Sequence, residues 1–212
     1  MLDLALLRRP LFRVSVGGAL VNGLGTIGPM TYSPTMLERG LRHGPLVAGG
    51  ILAIWSLTSM LVSMQARRLP ERLSSRGRLA VGLLAGGVGS AALAWLGTGT
   101  SWWELVPGLL IGGVGYGLAN AALARLAVES VPAARAALGS GANNTARYLG
   151  SALGIAVIVA IVSGAGSGPA DMIDGWNHAA LAAAALNVAG AALVVATGWG
   201  RERRAVRSAA VP

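Results

Sequence analysis

Six apolar runs of about twenty residues each, at 14–37, 45–66, 79–96, 103–128, 138–162 and 176–199, constrain this chain more than any other feature. At 1.5 Å rise per residue, a helix of that length crosses a hydrocarbon core of roughly 30 Å. In that core only helices and closed barrels satisfy every backbone polar group. Runs of this length predict an all-α membrane protein of six transmembrane helices. Charged residues make up 12% of the chain and hydrophobic ones 54%, against roughly 25% charged in soluble domains. Residues 1–13 form a short basic lead and 200–212 a basic tail. The first run exceeds the 7–15-residue apolar core of a cleaved signal peptide and is expected as a span.

Glycine gives the second constraint. Pro107 to Ala156 holds two apolar segments joined by a short polar turn, with Gly108, Gly112, Gly113, Gly115 and Gly117 in the first and Gly150 and Gly154 in the second. In water each would cost a helix about 1 kcal/mol relative to alanine. In lipid, where association rests on packing rather than on the hydrophobic effect, small residues let backbones approach closely. The stretch is expected as a pair of helices packed against one another.

Charge sets the orientation. There is no lysine, so all seventeen basic residues are arginines, and the net charge is +9. In a soluble domain that charge would point to nucleic acid; here the arginines lie in short connections between apolar runs, and nucleic acid is excluded as a partner. Fifteen would share one side: Arg8, Arg9 and Arg13; Arg67, Arg68, Arg72, Arg76 and Arg78; Arg125, Arg135 and Arg147; Arg201, Arg203, Arg204 and Arg207. Only Arg39 and Arg42 fall on the other. The positive-inside rule then places both termini in the cytoplasm of a multi-pass plasma-membrane protein. Trp102, Trp103, Trp176 and Trp199 lie near run ends, as interfacial tryptophans do, whereas Trp55 and Trp95 fall inside runs and face neighbouring helices or lipid.

Polar residues inside the runs are the candidates for function. Asn22, Asn120 and Asn187 either line a pathway or act as interhelical hydrogen-bond glue. Asn143, Asn144 and Arg147 enter the fifth run from its cytoplasmic end, and Arg147 either faces water or snorkels to the interface. The connection from Arg67 to Arg78 is mixed in charge, serving either as a helix-capping device or as a solvated loop. Nothing resembles an enzyme site. Cysteine is absent, His43 and His178 stand without metal-ligand companions, and no carboxylate sits inside a run, Glu104 and Glu129 being near ends. No cofactor or metal is called for, and the bilayer itself is the one partner composition demands.

The order Pro107-Gly108, Val131-Pro132, Gly139-Ser140-Gly141, Asn144-Thr145-Ala146-Arg147 and Leu149-Gly150-Ser151-Ala152-Leu153-Gly154 resembles the late spans of fourteen-span drug:proton antiporters of the major facilitator superfamily. The basic connection falls where that family carries a cytoplasmic Gly-x-Leu-x-Asp-Arg-x-Gly-x-Arg signature. Leu69, Glu71, Arg72 and Arg76 match or nearly match it, while Arg67 and Ser74 stand in place of its two glycines. The resemblance covers about Leu11 to Trp199 and corresponds to the C-terminal half of such a transporter, a six-helix bundle of two inverted three-helix repeats. It implies that the first, second, fourth and fifth spans face a cavity, with Asn22, Tyr32, Tyr116, Asn120, Asn144 and Arg147 as substrate-pathway candidates. It makes Leu69, Glu71, Arg72 and Arg76 candidates for a cytoplasmic gating loop. Gly28-Pro29 is either a gate hinge or a packing kink. The implied function is efflux of amphipathic or cationic small molecules, as in multidrug resistance, by proton-coupled alternating access, after pairing with a second six-helix half or with itself. The alternative is a non-transporting membrane scaffold or a decayed transporter fragment.

Overall fold

The computed structural model describes residues 4–66 and 74–209 and is built from helices. A short 3-10 turn (Leu4–Arg8) leads into α1 (Pro10–Gly40), followed by α2 (Pro45–Gln65), α3 (Ser75–Ala92), α4 (Val106–Glu129), α5 (Ala136–Ala165) and α6 (Pro169–Ala209). Five of them, all but α3, are long and apolar enough to cross a membrane. α3 is the shortest and carries Arg76 and Arg78 in its first turn. Leu69, Glu71 and Arg72 lie outside the described residues; Arg76, at the foot of α3, donates to the Thr197 carbonyl at 3.4 Å.

The glycines of α4 do not serve an α4–α5 pair. One face meets α3: a Cβ on Gly89 would stand 2.6 Å from Gly112 Cα, and one on Gly82 would stand 2.9 Å from Ala119 Cα. The other face meets α2, where a Cβ on Gly117 would lie 2.5 Å from the Ser59 carbonyl and one on Gly113 2.9 Å from that of Trp55. α4 is thus wedged between α2 and α3. The glycines of α5 pack on α1 instead, Gly154 against the Leu24 carbonyl at 2.6 Å and Gly28 against Gly154 Cα at 2.8 Å from their hypothetical Cβ atoms. The expected pair is corrected: spacing marks a small-residue face, and here two faces of one helix serve two different neighbours. α4 and α5 touch near their turn, where Gly139 abuts the Ala127 carbonyl.

α1 runs through two π-turns, Gly23–Ile27 and Met36–Gly40, and through Pro29 and Pro34. A proline has no N–H to give the carbonyl four residues back. For Pro29 that carbonyl belongs to Gly25, and it receives Asn187 Nδ2 from α6 at 2.8 Å. For Pro34 it belongs to Met30, and it receives the Ser33 hydroxyl at 2.6 Å. Asn187 also donates to the Ala183 carbonyl and accepts from the Thr26 hydroxyl, and it is 0% exposed. Asn187 is therefore interhelical glue, and it pins the irregular middle of α1 to α6.

Two apolar clusters hold the ends together. Val14, Leu79, Leu83, Leu123, Leu126 and Val194 fill the end bearing the start of α1. Leu37, Ile51, Leu93, Leu109, Ile173 and Trp176 fill the other. Trp102 and Trp103 are exposed, as interfacial residues would be, but Trp176 is buried and donates its indole N–H to the Leu93 carbonyl at 2.9 Å. Proximity to a run end placed it at the interface in the sequence reading; the unsatisfied carbonyl closing α3 draws it inward. Beside it, Asn177 both donates to and accepts from the Leu96 backbone.

Candidate functional site

Four of the six pathway candidates come together. Arg147 lies eleven residues into α5, roughly 16 Å along the helix, and is half-buried. Its guanidinium donates from Nη1 to Asn120 Oδ1 of α4 at 2.8 Å and from Nη2 to Asn144 Oδ1, one turn before it on α5, at 2.9 Å. The guanidinium carbon also sits 5.5 Å from the centre of the Tyr148 ring. Burying a charge without a partner is costly. Both partners here are neutral amide oxygens, so among the described residues the cation is hydrogen-bonded but not neutralised.

One turn back on α4, Tyr116 packs its ring against Trp55 of α2, with centroids 4.8 Å apart. Tyr116 and Asn120 then share a cavity of about 460 Å³ with Ser59, Met60, Ser63 and Met64 of α2. The hydroxyls of Ser59 and Ser63 donate to the Ser56 and Gly117 carbonyls, at 2.9 and 3.0 Å. Those donors are spent on backbone, and the serines face the cavity as acceptors. Asn120 has turned its oxygen to Arg147, which leaves its NH2 for the cavity.

The other two candidates lie elsewhere. Asn22 is 1% exposed, with an Nδ2 that finds no hydrogen-bond partner among the described residues, and it does not line this cavity. Tyr32 stacks on Trp176 at 6.4 Å and packs beside Ile158 of α5, eleven residues beyond Arg147 and so roughly 16 Å away along that helix. Asn143, the neighbour of Asn144, is buried and donates to the carbonyl and hydroxyl of Ser15, tying α5 to α1. Sequence reasoning missed the α2 side of the site. Its signal was present, since Ser59, Met60, Ser63 and Met64 repeat at the four-residue step of one helical face.

At the end where α3 begins, Arg78 is 7% exposed and donates to the Ala66 carbonyl closing α2, at 3.4 Å. Glu129 accepts from the Ser75 hydroxyl at 3.0 Å and pairs with Arg125 one turn earlier at 2.6 Å. This polar belt joins the ends of α2, α3 and α4 beside the basic connection.

The sequence profile of the Major Facilitator Superfamily matches residues 3–155. The chain belongs to the Major Facilitator Superfamily. With its five long apolar helices it is a multi-pass membrane protein of a transporter family. It is 27% identical over 186 residues to the uncharacterized transporter YebQ of Escherichia coli (strain K12), covering 88% of this chain and 39% of that protein. It is 28% identical over 162 residues to a probable actinorhodin transporter of Streptomyces coelicolor, covering 74% of this chain and 28% of that protein. The chain thus spans less than two fifths of the length of either curated relative.

Proposed function

We propose that this chain forms one six-helix half of a plasma-membrane efflux antiporter of the fourteen-span drug:proton kind, exporting amphipathic small molecules by proton-coupled alternating access. The observation that carries the reading is Arg147, held within an apolar helix by the neutral amides of Asn120 and Asn144 beside a cavity lined from α2 and α4. A scaffold has no use for a charge within an apolar helix, whereas a translocation pathway does. Of the five long apolar helices, α2 and α5 are the most open. Met60, Leu61 and Met64 on α2, and Tyr148, Leu149 and Leu153 on α5, are exposed, which suits packing against a second six-helix half or a second copy.

The packing pattern also fits two inverted three-helix repeats, because α1 packs on α5 as α4 packs on α2. With the arginine-rich connections in the cytoplasm, both termini are cytoplasmic and the polar belt around Arg78 and Glu129 sits at the inner gate. Arg76, with Leu69, Glu71 and Arg72, would then belong to the gating loop. A relative named as a probable actinorhodin transporter supports an organic substrate over an inorganic ion. Flux of a fluorescent amphipathic probe into proteoliposomes carrying a pH gradient tests the reading. Asn120→Leu and Arg147→Ala should each abolish flux while the protein elutes as a folded species; full flux in both variants would remove the pathway from this site.

A further inference from the structure

Resting on that reading of the site, the chemistry of the cavity narrows the substrate further. None of its lining residues, Ser59, Met60, Ser63, Met64, Tyr116 and Asn120, is a carboxylate. The acidic residue of α4, Glu129, lies nine residues beyond Asn120, roughly 13 Å along the helix, and is engaged by Arg125 and Ser75. The charge beside the cavity is the Arg147 guanidinium, which uses two of its five N–H groups on Asn120 and Asn144. The polar groups on the α4 and α5 side are also biased in direction, although Ser59 and Ser63 of α2 offer acceptors. Asn120 has committed its oxygen to Arg147 and offers its NH2, so the amide and the guanidinium together present N–H donors backed by a positive charge. Across from them on α2 stand the thioethers of Met60 and Met64, and one turn from Asn120 on α4 lies the Tyr116 ring, surfaces that favour flat aromatic groups.

We infer that the cavity takes an anionic aromatic substrate, a carboxylate or phenolate on a fused apolar ring system, with its charge on Arg147 and Asn120 and its rings against Met60, Met64 and Tyr116. A volume of about 460 Å³ suits a ligand of that size. A cationic amphiphile, the other class the sequence admits, would meet like charge in a low-dielectric site, which costs several-fold in affinity at the least. Once an anion is seated, its charge is balanced by the Arg147 guanidinium, which lowers the cost of holding either charge away from water.

The test is equilibrium dialysis of the purified full chain in lipid nanodiscs against two matched probes, a hydroxycoumarin carboxylate and a coumarin carrying a quaternary ammonium. The carboxylate should bind at least tenfold more tightly than the cation. Arg147→Gln should lose about tenfold or more of the carboxylate binding, and Arg147→Lys should recover part of it. Asn120→Asp keeps Arg147 but supplies an internal counter-charge, and it too should lose the anion, which separates loss of charge from loss of fold. Equal binding of the two probes, or carboxylate binding indifferent to both Arg147→Gln and Asn120→Asp, overturns the inference. So does absence of carboxylate binding, which would mean that the counter-charge comes from another helix bundle. Flux in proteoliposomes separates this from the transport reading. Arg147-dependent anion binding without flux leaves the inference and removes transport, whereas flux of the cation alone leaves transport and removes the inference.

Discussion

Replacing Gly115 by alanine tests the claim that glycine sets the spacing of α3 and α4. A Cβ at Gly115 would stand 2.7 Å from the Gly82 carbonyl oxygen and 2.8 Å from the Ala85 carbonyl carbon, and closer still to the Gly86 nitrogen. All three are backbone atoms, so no side chain can rotate away. Because the Gly86 nitrogen is the nearest of the three, reaching an ordinary contact distance requires the helices to part by about 1 Å, a gap that forfeits up to about half of each dispersion contact along the seam. Overpacking of this kind costs about 1–3 kcal/mol. Gly17→Ala is the control, because a Cβ there meets nothing within 4 Å. It gains the same helix propensity as Gly115→Ala, so the difference between the two variants isolates the clash. Equilibrium unfolding in mixed detergent micelles, followed by circular dichroism, should place Gly115→Ala about 1–3 kcal/mol below Gly17→Ala. Equal stabilities, within about 0.5 kcal/mol, would refute the close-approach argument.

Asn187→Leu strands the Gly25 carbonyl and should cost about 1–2 kcal/mol in the same assay. Part of that loss should vanish in a Pro29→Ala background, where an N–H becomes available to Gly25; additive effects would mean that Asn187 does not compensate for the proline. The natural absence of cysteine allows a direct topology measurement. A cysteine at Ser74 should be shielded from an impermeant thiol reagent in intact cells and one at Ser101 labelled, and the reverse pattern would invert the bundle. Ser63→Ala removes the hydroxyl that donates to the Gly117 carbonyl at 3.0 Å and should destabilise by about 0.5–1 kcal/mol, with expression and elution otherwise unchanged.

The span-length runs were legible because membrane thickness imposes a length on any helix that crosses it, whatever its neighbours. The glycine faces were legible as faces, but not their partners. Spacing on one helix says which side is smooth and nothing about which helix lies there, so α4 was paired with α5 when it is wedged between α2 and α3. Asn187 was ambiguous for the same reason, since its role depends on a carbonyl freed by Pro29 some 160 positions earlier in the chain. For Arg147 the sequence left facing water and snorkelling both open, because it shows only distance along its own helix; the tertiary arrangement adds Asn120 from α4 as its partner. Met60 and Met64 carry no polar signal that would single them out in the sequence, and their part in the cavity emerges only with Tyr116 and Asn120 opposite. Trp176 shows the limit of positional rules, because a hydrogen-bond acceptor in the bundle outweighed the interface.

The central claim is that Arg147, held by Asn120 and Asn144, marks a substrate pathway in one half of a transporter. Its most direct test is probe flux in proteoliposomes under an imposed pH gradient, with this chain alone and with candidate second halves. The account predicts flux that collapses when the gradient is dissipated and that Arg147→Ala abolishes without loss of fold. Gradient-independent leakage identical in wild type and Arg147→Ala, for every pairing tried, would contradict it.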